Sequence, residues 1–196
     1  MRPRNREKEQ LVKEQTIEML VTHGFESFSA NKLAKACGIS MATLYIYYKD
    51  KDDLIIQIAS EEVAKMRAAV IQGFDPESSF EQGLRVQWKN RFEYQIANPI
   101  LSLFFELLRS SSYQDKIYSG FRDDFDHMIR KFMQNSIERG EIIAMPIEVY
   151  WSVAFSPLQA LIRAHYEGLR PGGSTFVLTE EIVWQTFGLV LKALKV

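Results

Sequence analysis

Cysteine is almost absent. Cys37 is the only one in 196 residues, so no disulfide can form within the chain, and a reducing compartment suits it. Two readings of Cys37 are open: a small packing residue on an apolar face, or a redox-sensing thiol. No apolar run approaches the ~20 residues of a membrane-spanning helix. The opening Met1-Arg2-Pro3-Arg4-Asn5-Arg6 has no apolar signal core. A soluble cytoplasmic protein with no membrane partner is the expectation. Catalytic signatures are missing too: there is no GxSxG, no P-loop, no HExxH and no Cys–His pairing. Asp124-x-x-His127 has the spacing of half a carboxylate-bridged metal site. Such a site needs a second pair and further Glu residues on facing helices. Neither His23 nor His165 has an acid three residues before it. Asp124 and His127 therefore read as a solvated helix face, and no metal, no cofactor and no enzymatic activity are expected. Hairpin signals, internal repeats and low-complexity segments are also lacking.

Excess charge of either sign is lacking overall, with a formal net charge of −1. Its distribution is uneven. Residues 1–49 carry eight Lys or Arg against five acids, and the remainder is correspondingly acidic. A basic head on an acidic body suits DNA at one end only, although chance scatter gives the same imbalance. Arg2, Arg4, Arg6 and Lys8 form a basic arm, readable either as a solvated tail or as a strand along a phosphate backbone.

What is present in strength is helix. The chain is 46% hydrophobic and 12% aromatic, ample for a core. The organising stretch is 29–53. Ser29 N-caps a short helix whose Leu33, Ala34 and Cys37 make a narrow apolar stripe. Gly38 stops it, because glycine reaches the left-handed C′ conformation without steric cost. Ser40 caps a second helix with Leu44 pointing inward. Small Ala34 allows close approach of the pair. This is a helix-turn-helix, whose second helix enters the DNA major groove.

Gly24-Phe25, Leu33-Ala34, Cys37-Gly38-Ile39-Ser40, Thr43-Leu44-Tyr45, Tyr48, Lys51 and Leu54 together resemble the N-terminal signature of the tetracycline-repressor (TetR) family. The resemblance covers roughly residues 10–55. Ala42 stands where that family often has Gly, Tyr48 where it usually has Phe, and Lys32 where an acid is common. The resemblance implies an all-α protein: a three-helix DNA-binding head and a helical ligand-binding and dimerisation body. It also implies that the matching positions touch DNA.

Helix 1 is expected over about 7–23 and helix 4 from the Asp50/Asp53 capping pair to about Gly73. Ser79 opens helix 5, Asn98-Pro99 helix 6, Ser112 helix 7 (closed by Gly140), Pro146 helix 8 (kinked at Pro157) and Thr179 helix 9. Residues 168–178, with Pro171-Gly172-Gly173, read as a loop. About nine helices result, with the head at 1–49 and the body at 50–196.

Three residue sets carry the functional expectation. Ser40, Thr43 and Tyr45 lie near the recognition-helix N-terminus and face base edges, while Tyr47 and Lys51 face phosphates. Ser29 and Lys32, at the start of the first helix of the motif, complete the DNA-binding set. Trp88, Phe92, Phe104, Phe105, Phe121 and Phe125 are either core or the lining of an effector pocket suited to an apolar or aromatic ligand. Helices 8 and 9 are apolar nearly all round, which points to a two-fold interface through Trp151, Phe155, Leu158, Ile162, Trp184, Phe187 and Leu191. A larger monomer core is the competing reading. The expected protein is a homodimeric regulator of double-stranded DNA, most simply a repressor released from a pseudo-palindromic operator by a small-molecule effector. The alternative is a DNA-binding protein without an effector, acting structurally or through a protein partner.

Overall fold

A computed structural model describes residues 3–118, 124–167 and 176–196. Among these residues the chain is helical, with no β-strand beyond one isolated bridge between Ile142 and Lys195. The helices are α1 (Pro3–Ser27), α2 (Ala30–Ala36), α3 (Met41–Tyr47), α4 (Lys51–Val70), α5 (Phe80–Ala97), α6 (Pro99–Arg109), α7 (Gln114–Tyr118), α8 (Asp124–Glu138), α9 (Ile147–Ala154), α10 (Ser156–Glu167) and α11 (Glu180–Leu194).

The stop and start signals explain most boundaries. α1 leaves helical geometry at Gly24. The Asp50 carboxylate accepts from the Asp53 amide at 2.8 Å, and Asp53 accepts in return from the Lys49 amide at 2.8 Å. This reciprocal capping starts α4. Ser79 and Thr179 accept from the amides of Gln82 and Ile182 and start α5 and α11. Among the described residues there are eleven helical segments where about nine helices are expected. The described parts of the seventh expected helix are α7 and α8, and residues 119–123 between them lie outside the described residues. The eighth becomes α9 and α10, broken at Phe155. Pro157 has no N–H to donate to the Val153 carbonyl, so the ladder opens there and not merely bends.

Two compact units share the chain: 1–65 with 100–120, and 66–99 with 121–196. In the first, Leu20, Leu33, Leu44, Leu54 and Ile55 are buried among α1–α4. Tyr113, near α7, donates its hydroxyl to Asp52 at 2.6 Å and packs its ring 5.1 Å from Phe25. Buried Lys13 on α1 reaches Glu61 at 2.6 Å and Glu62 at 3.3 Å, and Lys65 bonds the same two carboxylates. This cluster clamps α1 to α4.

The hydrogen bonds from Lys13 and then Lys65 hold the Glu61 carboxyl below its ordinary 4.5. A carboxyl whose folded pKa is depressed contributes stability above the unfolded value and loses it as pH falls through the folded one. Wild type should therefore lose protection of the α1 and α4 amides to hydrogen exchange progressively below about pH 4.5. Glu61→Gln should start lower and depend on acid less steeply. Parallel acid profiles for the two would show that the clamp contributes nothing.

The second unit packs α5 against α8, α10 and α11, with Phe80, Leu84, Trp88, Phe132, Tyr150 and Phe187 fully buried. Gly83 permits it: a Cβ there would lie 2.4 Å from the Phe132 ring. α4 runs from the first unit into the second between Lys65 and Met66.

Candidate nucleic-acid interface

The helix-turn-helix is built by local chemistry. Ser29 Oγ accepts from the Lys32 amide at 3.3 Å, and Ser40 Oγ from the Thr43 amide at 3.1 Å. Between the two caps, Gly38 adopts φ +62°. The Ile39 amide then reaches back to the Ala34 carbonyl at 3.0 Å and the Gly38 amide to the Lys35 carbonyl at 3.2 Å. These are the paired bonds of a Schellman stop, and they set the angle between α2 and α3. Cys37 is buried at this corner, its Sγ 4.0 Å from the Leu11 carbonyl, and burial pushes its thiol pKa up. It is a packing residue, since a redox sensor needs an exposed, acidified thiol.

α3 is held by a single fully buried side chain, Leu44, 1% exposed. Each residue turns the helix by about 100°. Counting from Leu44, the outermost direction falls on Ala42 and Ile46, flanked by Tyr45 on one side and Thr43 on the other. Exposure agrees: Ile46 is 75% exposed and Tyr45 49%. Ser40 and Thr43 share a hydroxyl–hydroxyl bond of 2.9 Å at the helix N-terminus. The outward face is thus two hydroxyls, a phenol, a methyl and a branched aliphatic chain. Hydroxyls read base-edge donors and acceptors, and aliphatic groups pack on thymine methyls.

Tyr47 is not on this face. It lies about 200° around the helix from Tyr45 and lines a hollow of about 430 Å³ with Arg6, Glu9, Lys13, Tyr48 and Glu61. Lys51 donates to the Phe25 carbonyl at 2.9 Å and sits 5.8 Å from the Phe28 ring centre, tying α4 to the end of α1. Lys32 is exposed and bonds the Ser27 carbonyl at 3.4 Å, and Ser29 is half-buried by its capping role. Ile46 and Ala42 are the residues that motif matching passes over. Rotation about α3 from the one inward leucine identifies both.

The aromatic set divides between the units. Phe104 and Phe105 belong to the first, while Trp88, Phe92 and Phe125 belong to the second. Phe121 lies outside the described residues, as do residues 168–175 of the stretch expected to be a loop at 168–178. Trp88 is fully buried, and its indole N–H donates to the Ala154 carbonyl at 2.7 Å. Phe125 stacks on Trp151 at 6.4 Å. Of the residues expected at a two-fold interface, Phe155, Leu158, Ile162 and Phe187 are buried within their own chain. Trp151, Trp184 and Leu191 are half-buried, and Leu189 is exposed. His127 is exposed, and no group of three His, Cys, Asp or Glu gathers as a metal site among the described residues. No described helix is long and apolar enough to cross a membrane.

Residues 12–58 match the model of the family described as bacterial regulatory proteins, tetR family. Over 86 residues the chain is 30% identical to an uncharacterized HTH-type transcriptional regulator of Haemophilus influenzae, 44% of this chain and 46% of that protein. Over 94 residues it is 27% identical to another such regulator from Bacillus subtilis, 46% of this chain and 32% of that one. The chain thus spans about half or less of the length of these curated relatives. Its whole fold is similar to the crystal structure of a TetR family transcription regulator from Marinobacter aquaeolei. The TM-score is 0.83 at 26% identity, covering 100% of this chain and 99% of that chain.

Proposed function

The chain belongs to the TetR family of transcription regulators, and from that premise we propose a homodimeric repressor that leaves a pseudo-palindromic operator when a small ligand binds. Residues 1–49 make the DNA contacts, and residues 50–196 hold the ligand and the second copy. The observation that carries this reading is the outward face of α3, with Tyr45 and Ile46 exposed beside Ser40 and Thr43 on a helix whose sole buried anchor is Leu44. Exposed Ile46 presents an aliphatic group on the same face as the hydroxyls, and such a group packs on a thymine methyl. A duplex major groove with thymine methyls fits this face.

Half-buried Trp151, Trp184 and Leu191, with exposed Leu189, supply apolar surface on α9 and α11 for a two-fold partner. α4 supplies the link. Its Arg67 pairs with Asp126 at 3.0 Å and lies 4.5 Å from the Phe125 ring centre, so the end of the helix that starts at the head is gripped by α8. A ligand that shifts α8 shifts α4. Two recognition helices must meet half-sites about 34–36 Å apart, so a few ångströms of added separation prevents simultaneous docking.

The test is binding to duplexes selected from a random pool. Affinity should fall steeply with salt, at two chains per duplex. Tyr45→Ala and Ile46→Ala should each weaken the selected duplex by about 1–3 kcal/mol and leave non-specific duplex unchanged. Unaltered specific binding in both variants would mean that another surface reads DNA.

A further inference from the structure

Arg91, on α5, is the one cation buried in the second unit among the described residues, and it is 7% exposed. No carboxylate of the described residues reaches it. Its Nη1 donates to the Gln87 carbonyl at 3.3 Å and to Gln87 Oε1 at 3.4 Å, both long. The guanidinium lies 4.0 Å from the Phe155 ring centre and 5.5 Å from that of Trp151. Those faces attract a cation but carry no negative charge to balance it. Two polar atoms in the same cluster, Gln87 Nε2 and the Tyr150 hydroxyl, are buried without a partner at full hydrogen-bond geometry, and they interact with each other. Tyr150 packs its ring 5.9 Å from Phe155 and 6.2 Å from Trp151.

A core arginine without a counter-ion is expensive, and the desolvation shows in its pKa, lowered to about 9. The groups gathered here are a guanidinium without a counter-ion, an amide NH₂ and a phenol, a set dominated by donors. One charge suits a monoanion, and a planar fork suits a carboxylate. The walls are aromatic. We propose that Arg91, Gln87 and Tyr150 anchor the carboxylate of an amphipathic organic acid, whose apolar part lies against Trp151 and Phe155.

This rests on the ligand-released reading and gives its ligand a chemical class: an apolar body carrying one acid group. It also gives the ligand a path to the head. Trp151 lies under Arg91 and stacks on Phe125, and Phe125 lies under Arg67 of α4. Every member of this chain of contacts belongs to the second unit, and α4 continues from it into the first.

The experiment titrates two acids, decanoate and 2-naphthoate, and their matched alcohols, decan-1-ol and 2-naphthalenemethanol, into the full-length protein by calorimetry. In wild type each acid should bind about 10-fold or more tightly than its alcohol, the scale of hydrogen bonds to a charged group. Arg91→Met should erase that preference and keep alcohol binding. Its unfolding temperature should be equal or higher, because an unpaired buried charge has gone. Tyr150→Phe removes only a hydroxyl whose hydrogen-bonding neighbour is Gln87; it should keep the unfolding temperature and weaken the acids several-fold. If Arg91→Met does not fold, the Tyr150→Phe result decides. Equal affinity for acid and alcohol in wild type, no binding of either acid, or a preference that survives both variants overturns the proposal. Repeating the titrations with a selected duplex separates it from the reading beneath. Arg91-dependent acid binding that is indifferent to DNA supports the anchor and overturns ligand release. DNA release by acids and alcohols alike does the reverse.

Discussion

Leu44→Ala should abolish sequence-specific duplex binding although Leu44 cannot touch DNA. Leu44 is the only fully buried residue of α3. A seven-residue helix has too few turns to persist alone in water, so tertiary packing has to hold it. Truncating a buried leucine to alanine costs about 2–5 kcal/mol, a large fraction of a small unit's stability. The Schellman stop and the Ser40 cap would survive, but they fix only where α3 begins, not its rotation or its seat. The variant should therefore bind selected and random duplexes with the same weak affinity, and amides 44–48 should lose hydrogen-exchange protection. All three tryptophans, Trp88, Trp151 and Trp184, lie in the second unit. Their fluorescence should stay that of wild type, which separates loss of the head from general unfolding. Tyr45→Ala is the natural companion: it removes a contact without loosening the helix. Wild-type specificity in Leu44→Ala would mean that α3 is seated by something other than its one inward side chain.

The head was legible because its signals are local. Ser29, Ser40 and Asp50 each cap a helix a few residues away, and Gly38 stops one on the spot. What escaped needed rotation or partners. Tyr45 and Tyr47 read alike as tyrosines of one helix, yet two residues of α-helix turn them to different sides. On α5, the stripe Leu84, Trp88, Phe92 follows steps of four, and each step of four drifts about 40°. The buried face actually follows Leu84, Trp88, Arg91 and Gln95, with Phe92 only half-buried. An apolarity scan passes over Arg91 and Gln87 because both look like surface residues. Only their neighbours, Tyr150 and Trp151 of α9 and Phe155 just after it, show that they are inside. The apolar helices near the C-terminus were legible as buried, but not by whom. The break at Phe155 leaves two short helices, and the chain itself covers Phe155, Leu158, Ile162 and Phe187. The placement of 100–120 with the head's unit rests on contacts such as Tyr113 with Asp52 and Phe25, separated by many residues in sequence. No local pattern encodes them.

Trp88→Ala should be the most destabilising single truncation in the second unit. The side chain is fully buried, and its ring meets Phe187 edge-on at 5.4 Å. Large aromatic-to-alanine changes in cores cost about 3–5 kcal/mol. Here a second loss adds to the cavity. Ala154 ends α9 at the break before Pro157, where the regular ladder stops, and its carbonyl accepts from the Trp88 indole at 2.7 Å. Without that donor a buried carbonyl is left bare, at about 1–3 kcal/mol. Trp88→Phe separates the two contributions: it keeps most of the ring and loses the N–H, so it should cost roughly the hydrogen-bond share. The measurement is urea unfolding followed by the fluorescence of Trp151 and Trp184, which reports this unit in every variant. The same pair of variants distinguishes a core residue from a pocket wall. A tryptophan lining a ligand cavity tolerates truncation, because one of its faces already lacks packing partners, and alanine there chiefly enlarges the cavity. A loss below about 1 kcal/mol for Trp88→Ala, against the core expectation, would move Trp88 from the frame of the second unit to its ligand site. A loss near the full sum would leave Trp88 as the post on which the α9–α10 break, and with it Phe155 beside Arg91, is fixed.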